Sequence, residues 1–267
     1  MKKLLVSAIL CVSLNADINQ AVLGILGASD YNTHKNLINH IFKNEQDFYT
    51  NGKLDYSKIT EELEKNNLLK ANIGTASGTE ITFNFNTNPK ISFKNMNDIL
   101  RVVGIQNYTT TNQTTVDNQL QWSIKVQTAA AINPLKISNE LKNANCRVVD
   151  IKKEGKKLSF YIDSSKASVY KAENLVTQRE LVLKRTSRPY IVELGGMYRV
   201  NIESSAGNSW HPLVTFYDSS FNAIEVIEKE SLEKSLKLVV PSGAKFMKID
   251  DFYALTNIKN GLTITKE

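Results

Sequence analysis

The stretch from residue 81 to residue 163 constrains the fold most, because strand and helix patterns alternate within it. Two segments with helical spacing begin at Ser92 and at Asn133, and the first of them ends at Gly104. Strand-like segments occur at 81–85, 105–111, 120–126, 146–151 and 158–162. The resulting order is strand, helix, strand, strand, helix, strand, with one further strand. This order predicts a ferredoxin-like α/β sandwich over residues 80–163.

The preceding segment, residues 17–72, is predicted to be a helical region. Its clearest helix begins after Asp55, a residue type that caps helix N-termini, and turns Ile59 and Leu63 inward. Residues 73–80 are rich in Gly, Ser and Thr and therefore predict a loop and a domain boundary. How the helical region packs is left open by the sequence.

Residues 181–267 are predicted to form an antiparallel β-sandwich, since helix signals disappear and short strands alternate with turns. The predicted strands are 181–185, 190–194, 197–204, 212–217, 223–228, 235–240, 245–250 and 261–265. Turn residues such as Gly195-Gly196 separate them. The whole chain is therefore expected to be a multidomain α+β protein. Residues 164–180 are expected to be a polar connector.

Residues 1–16 have the pattern of a secretory signal peptide. Lys2 and Lys3 precede an apolar stretch over residues 4–14, and small Ala16 marks the expected cleavage site. A periplasmic location is therefore expected, with no membrane span after removal of the signal. The sequence leaves open whether the segment is cleaved or retained as an anchor. It also leaves open lipidation at Cys11.

The net charge of the chain is +6, and its basic residues are scattered. A scattered charge of this size suits solubility and argues against nucleic acid as a partner. No phosphate-binding glycine loop and no nucleophile-and-base motif occur, so no cofactor and no enzymatic activity are predicted.

Metal binding is also not predicted. The only histidines are His34, His40 and His211, and the first two differ by six positions, so they cannot share one helix face. Cys146 lies in a strand-like run and is expected to be a small buried hydrophobic residue. One question stays open, namely whether carboxylates at the edge of the sandwich bind calcium: Asp218, Asp250 and Asp251.

Two groups of residues are candidates for a ligand or partner surface. Aromatic side chains in predicted loops of the sandwich are suited to stacking on sugar rings, and Trp210 is expected to be exposed; the candidates are Trp210, His211 and Tyr253. The second group is a charged hairpin tip suited to an acidic partner: Lys152, Lys153, Lys156 and Lys157.

The hairpin from Tyr217 to Asn222, with the preceding strand at 198–202, resembles part of the jelly-roll, galactose-binding-like modules. The leader, the Asn- and Lys-rich composition and the three-region order make the whole chain resemble uncharacterised periplasmic proteins of epsilon-class proteobacteria. This resemblance implies an exported protein and transfers no catalytic residues.

Three functions follow as hypotheses. The first is a non-enzymatic periplasmic scaffold that contacts other proteins in an envelope assembly, of which flagellar motors and secretion machines are examples. The alternative is a module that binds glycan or peptidoglycan through the C-terminal sandwich. The third is an enzyme whose catalytic acids are dispersed along the sequence.

Overall fold

The computed structural model of the protein describes residues 17–69, 72–130, 132–185 and 187–267. The predicted signal peptide, residues 1–16, lies outside the described residues. The chain divides into two compact units, the first extending through Ser168 and the second from Val169 to Glu267.

The first unit contains all the α-helices of the described residues. Its helices are α1 (Ile18–Leu26), α2 (Ala28–Thr33), α3 (Lys35–Ile41), α4 (Tyr56–Lys65), α5 (Pro89–Val102) and α6 (Pro134–Asn143). Its strands are β1 (Tyr49–Thr50), β2 (Lys53–Leu54), β3 (Asn72–Phe85), β4 (Thr109–Val116), β5 (Gln119–Ala130), β6 (Arg147–Glu154) and β7 (Lys157–Asp163). Within the described ranges, none of these helices has the length and apolar character that a membrane crossing requires.

Five of these strands form one sheet in the order β4-β5-β3-β7-β6. Strand β3 lies at its centre, antiparallel to β5 and parallel to β7. The β4–β5 hairpin turns at Asp117 and Asn118, whose φ angles of 49° and 61° suit a tight two-residue turn. In this sheet β5 lies between β3 and β4, and α5 connects β3 to β4 along the chain.

The core of the first unit lies between this sheet and helices α5 and α6. The alternating apolar residues of the three central strands are buried: Ile81, Phe83, Phe85, Leu120, Trp122, Ile124, Val126, Leu158, Phe160 and Ile162. The Phe83 ring stacks on Phe160 with centroids 5.6 Å apart, and Phe93 of α5 meets Trp122 at 4.8 Å. The burial pattern follows from the strand period of two seen in the sequence.

Helices α1 and α4 pack on strand β6, so the predicted helical region and α/β region lie within one compact unit. Gly24 of α1 approaches the strand so closely that an added Cβ would clash with the Ile151 carbonyl oxygen. From α4, the Tyr56 hydroxyl donates to Asp150 Oδ1 at 3.2 Å. Burial, with the nearby Asp150 charge, raises the pKa of Tyr56, so this hydroxyl stays a donor.

Helix α4 begins as the sequence predicts. Asp55 Oδ1 accepts the backbone N–H groups of Ser57 and Lys58 at 3.0 and 3.4 Å, which satisfies two N–H groups that lack helical partners. Ile59 and Leu63 are fully buried.

The helix predicted to begin at Ser92 begins instead at Pro89, after Asn88. Two further predictions in this unit were wrong. Residues 73–80 are not a loop, because they belong to β3 and their backbone pairs with the far half of β5, with a register shift between Asn72 and Ser77. Cross-strand hydrogen bonds outweigh the low strand preference of Gly and Ser. The strand expected at 105–111 lies instead at Thr109–Val116, because the tight turn after Val116 fixes its register against β5.

The second unit is built from two packed sheets. Its strands are β8 (Glu173–Asn174), β9 (Glu180–Leu183), β10 (Tyr190–Glu193), β11 (Arg199–Ser204), β12 (Pro212–Tyr217), β13 (Ala223–Glu228), β14 (Ser235–Val239), β15 (Phe246–Asp251) and β16 (Leu262–Lys266). One sheet has the order β13-β12-β15-β10-β8 and the other the order β14-β11-β16-β9. The pairing is antiparallel except between β8 and β10.

The inner faces of these two sheets share one buried core, as in a β-sandwich. Its largest side chains are Trp210, Phe216 and Tyr190. The eight predicted strands agree with the observed ones within two residues at each end. Part of the predicted connector also belongs here, since β8 adds to the sheet edge and Leu175 is fully buried in the core. The coarse part of the predicted fold class, α+β, is confirmed, and the sheets are mostly antiparallel.

Candidate functional site

The seven candidate surface residues fall into two sets in different units. The four lysines lie on or beside the β6–β7 hairpin of the first unit, and Trp210, His211 and Tyr253 belong to the second unit.

The four lysines do not act as one patch. Lys152 lies over the Tyr161 ring, 5.0 Å from its centroid, and its Nζ is 3.5 Å from Asp150 Oδ2. Side chains alternate along a strand, so Lys153 points the other way, and its Nζ lies 3.5 Å from Asp30 Oδ2. The other three lysines, unlike Lys152, line one cavity: Lys153, Lys156 and Lys157.

The expected exposure of Trp210 was wrong, because this side chain is fully buried in the core of the sandwich. Its indole Nε1 donates to the Asp250 carbonyl oxygen at 3.0 Å, which satisfies the one polar atom of the ring. The preceding turn at residues 207–209 suggested a loop position. The two packed sheets instead provide an apolar site that matches the large ring.

Tyr253 is the exposed aromatic residue of this set, at 60% of its full surface. Its ring meets His211 and Phe252 edge to face, with centroids 4.9 and 5.0 Å apart. The His211 ring is held by its Nδ1, which lies 2.7 Å from the Glu230 carbonyl oxygen. Tyr253 and His211 thus form a small ordered aromatic surface.

The carboxylate of Asp251 is a structural group. Its Oδ2 accepts the His211 backbone N–H at 2.7 Å. Its Oδ1 accepts the backbone N–H groups of Tyr253 and Ala254 and the side-chain amide of Asn257, all within 2.9 Å. Asp251 therefore holds the turn that presents Tyr253, a role that the sequence did not reveal.

Asp218 and Asp250 are the two other carboxylates for which the sequence leaves calcium binding open, and both have partners within the chain. Asp218 accepts the backbone N–H groups of Ser220 and Asn222 at 2.8 Å each. Asp250 Oδ2 lies 3.5 Å from Lys248 Nζ. Across the described ranges, no three His, Cys, Asp or Glu side chains are grouped as a metal site.

The predicted burial of Cys146 is confirmed, since the side chain is 3% exposed. Burial, with Asp163 nearby, raises the pKa of its thiol to about 12. The thiolate is the reactive form of cysteine, so Cys146 is inert at neutral pH.

Strand β4 is a further candidate surface, and its character was not apparent from the sequence. It forms one edge of the five-stranded sheet, and all eight of its side chains are exposed. Its residues are Thr, Asn, Gln and Val, without a charge or a proline. On its inner side it is fixed by Trp122 Nε1, which donates to Thr110 Oγ1 at 3.1 Å, and its outer backbone edge has no neighbouring strand among the described residues.

The other long edge strands of the described residues are protected in ways that β4 is not. Strand β6 is packed against α1 and carries five charged residues, from Arg147 to Glu154. Strand β13 carries Glu225 and Glu228. Proteins normally protect sheet edges by charge, proline, bulges or a covering element. A single register shift, between Thr110 and Asn112, is the one such feature of β4.

Comparison of the chain with known proteins identified no relative. No protein-family model, no curated protein and no solved structure gives a significant match to the chain.

Proposed function

We propose that this protein is a non-enzymatic structural protein of the periplasm that makes protein–protein contacts in an envelope assembly of the flagellar-motor or secretion type. The observation that carries the proposal is strand β4, an exposed and uncharged sheet edge of eight residues. The occupant of this edge is an extended segment of a partner protein, which adds a sixth strand to the sheet.

Strand addition suits this edge for chemical reasons. The outer backbone groups of an edge strand offer N–H and C=O partners to an incoming strand, and main-chain hydrogen bonds supply much of the affinity. Charged side chains on an edge strand oppose the addition of another strand, because they repel like charges and lose hydration on pairing. Strand β4 has no charged side chain. Its threonines have branched side chains that favour an extended backbone.

We also propose a fold type for each of the two units. The first unit is interpreted as a variant of the ferredoxin-like sandwich: β3, α5 and β4 form a split unit with β5 between the strands, while β7 takes the place beside β3. The second unit is interpreted as a galactose-binding-like sandwich. Its Asp218 turn, with Asn222 donating to the carboxylate, supports that interpretation.

The location and the lack of enzymatic activity rest on sequence patterns. The first sixteen residues have the charge and the apolar run of an export signal, and the chain has no nucleophile-and-base motif.

The edge is tested with the double substitution Thr114→Lys and Val116→Lys. Both side chains are exposed, so the fold is expected to survive, while two charges oppose pairing by a new strand. Wild-type and variant proteins are cross-linked in cells, purified by a tag and analysed by mass spectrometry. We expect the wild type to recover a reproducible set of envelope proteins and the variant to lose at least about nine-tenths of it.

A matched control is the double substitution Ile224→Lys and Val226→Lys on β13, the exposed edge of the second unit. The control is expected to keep the partners. If the partner proteins were lost with the control variant and kept with the β4 variant, the contact would lie on the sandwich instead of on β4. Recovery of this protein alone from wild-type cells would contradict the scaffold function.

A second candidate function is glycan binding by the sandwich, which the ordered and exposed Tyr253 ring favours. Aromatic faces stack on the apolar faces of sugar rings, and the fixed His211 ring beside Tyr253 limits the entropy lost on binding. We expect Tyr253→Ala to weaken binding to peptidoglycan fragments at least about fivefold if this function holds.

The control for the glycan test is Tyr198→Ala, which removes another exposed tyrosine from the same unit. Binding is measured by calorimetry with soluble muropeptides. Equal affinities for wild type and Tyr253→Ala would exclude this site, and a drop with Tyr198→Ala would place the contact elsewhere on the sandwich.

A further inference from the structure

The first unit contains a large cavity, and no residue of strand β4 is among its lining residues. Its volume is about 1030 Å³, and its lining includes residues of α1, α2, α4, β3, β5, α6, the β6–β7 hairpin and the loop that follows α5. Pockets for small molecules typically measure about 300–1,000 Å³. The cavity is therefore large enough for a ligand with an extended chain.

Part of the lining is apolar, and half-buried side chains expose this apolar surface to the cavity. The half-buried aliphatic residues are Leu69, Val103, Ile105 and Ile132. Six further aliphatic residues of the lining are 7% exposed or less: Ile25, Leu26, Leu68, Val126, Ile137 and Leu158. Contact with a hydrocarbon chain would remove apolar surface from water, which is favourable in proportion to the area covered.

The rest of the lining has an excess of positive charge. Four lysines line the cavity against two carboxylates: Lys136, Lys153, Lys156, Lys157, Asp30 and Glu64. Lys153 is paired with Asp30 at 3.5 Å, and Lys157 Nζ lies 4.0 Å from Glu80. In the described part of the chain, Lys136 and Lys156 have no carboxylate within ion-pair distance. Two ammonium groups are thus available for an anion.

We propose that this cavity binds an anionic amphiphile, a single hydrocarbon chain that ends in a carboxylate or a phosphate. The chain lies on the aliphatic surface, and the anionic head contacts Lys136 and Lys156. A sugar would leave the aliphatic surface uncovered, and a neutral amphiphile would leave the two lysines without a partner. The combination of both surfaces in one cavity selects the ligand class.

The proposal is tested by calorimetry on the purified full chain with dodecanoate and dodecyl phosphate below their micelle-forming concentrations. These two probes distinguish a carboxylate from a phosphate head. Dodecyl maltoside has the same chain with a neutral head, and we expect it to bind at least about tenfold more weakly. Octyl, decyl and dodecyl phosphate are expected to bind with increasing affinity, by up to about fourfold per methylene group.

The site is tested with the double substitution Lys136→Gln and Lys156→Gln. Both side chains are exposed, so folding is expected to be unaffected, and the affinity for the anionic probes should fall about tenfold while that for dodecyl maltoside stays the same. The control is Lys152→Gln with Lys166→Gln, which removes the same charge from positions outside the cavity.

Four results would overturn the proposal. The first three are the absence of saturable binding by both anionic probes, equal affinity for the neutral and anionic heads, and equal loss of affinity in the control and cavity variants. The fourth is affinity independent of chain length, which would exclude the aliphatic surface.

Discussion

The two compact units each bury one tryptophan completely, yet they differ in what they leave open. Trp122 and Trp210 both satisfy their indole N–H, through Thr110 Oγ1 at 3.1 Å and the Asp250 carbonyl oxygen at 3.0 Å. In the sandwich, two sheets pack face to face around a single core. In the first unit, helices cover a sheet and leave a cavity of about 1030 Å³ and the bare edge of β4.

This difference has a geometric origin. The inner faces of two sheets interdigitate along their whole length. Helices are cylinders that contact a sheet along narrow stripes, so the spaces at their ends are filled only where loops or further helices supply side chains. The first unit therefore offers an interior space, and the second exposes the Tyr253 ring on a turn.

The largest expected effect is that of Trp210→Ala, which tests whether the sandwich core depends on this ring. Removal of a fully buried tryptophan is expected to lower the free energy of unfolding by about 3–5 kcal/mol. Hydrogen exchange of strands β11, β12 and β15, followed by mass spectrometry, measures the loss. The exposed Tyr198→Ala serves as control and should change the stability by less than about 0.5 kcal/mol. Unchanged protection in Trp210→Ala would contradict the core position.

An intermediate effect is expected for Gly24→Ala in the first unit. In a free helix this change stabilises by about 1 kcal/mol, since alanine is the better helix former. Here the new Cβ would clash with the Ile151 carbonyl oxygen, so α1 must move away from β6, and we expect a net destabilisation of about 1–3 kcal/mol. Urea unfolding measures whether the substitution raises or lowers the free energy of unfolding. Asn36→Ala, at an exposed helical position, is the control, and stabilisation by Gly24→Ala would show that α1 tolerates displacement.

The smallest effect concerns Asp55 and depends on pH. Burial alone would raise the pKa of this carboxyl, but Lys142, Thr50 and the helix N–H groups outweigh it and hold the pKa below the ordinary value of 3.8. A carboxyl with a lowered folded-state pKa stabilises the fold above its unfolded pKa, and this contribution is lost as the pH falls through the folded-state value. Asp55→Ala should cost about 0.5–2 kcal/mol at pH 7 and less in acid.

The matched variant Asp55→Asn separates the cap from the charge. Asparagine keeps an oxygen that accepts the N–H groups of Ser57 and Lys58, so its cost at pH 7 should be smaller than that of alanine. This cost should approach zero in acid, because wild-type Asp55 is then itself uncharged, whereas alanine still lacks the cap. Thermal unfolding between pH 2.5 and pH 7 measures both variants. A cost for Asp55→Ala that does not change with pH would contradict a role for the carboxylate charge.

Features that depend on neighbouring residues were predictable from the amino-acid pattern alone. Strand periodicity located the eight main strands of the sandwich, and the preference of Asp55 for a helix N-cap located the start of α4. The alternation in β3, β5 and β7 identified the core face of the first sheet. Each of these signals lies within a few residues of the element that it predicts.

The remaining features could not be predicted in this way, because they depend on which distant segments meet in the fold. Residues 73–80 became a strand through pairing with β5, about fifty residues away in sequence. Trp210 became buried because two sheets close around it. The cavity is lined by segments that lie far apart in the sequence, from α1 to the β6–β7 hairpin. The bare edge of β4 follows from the order of strands in the sheet. Local preference is weak, on the order of 1 kcal/mol per residue, and long-range pairing and burial exceed it.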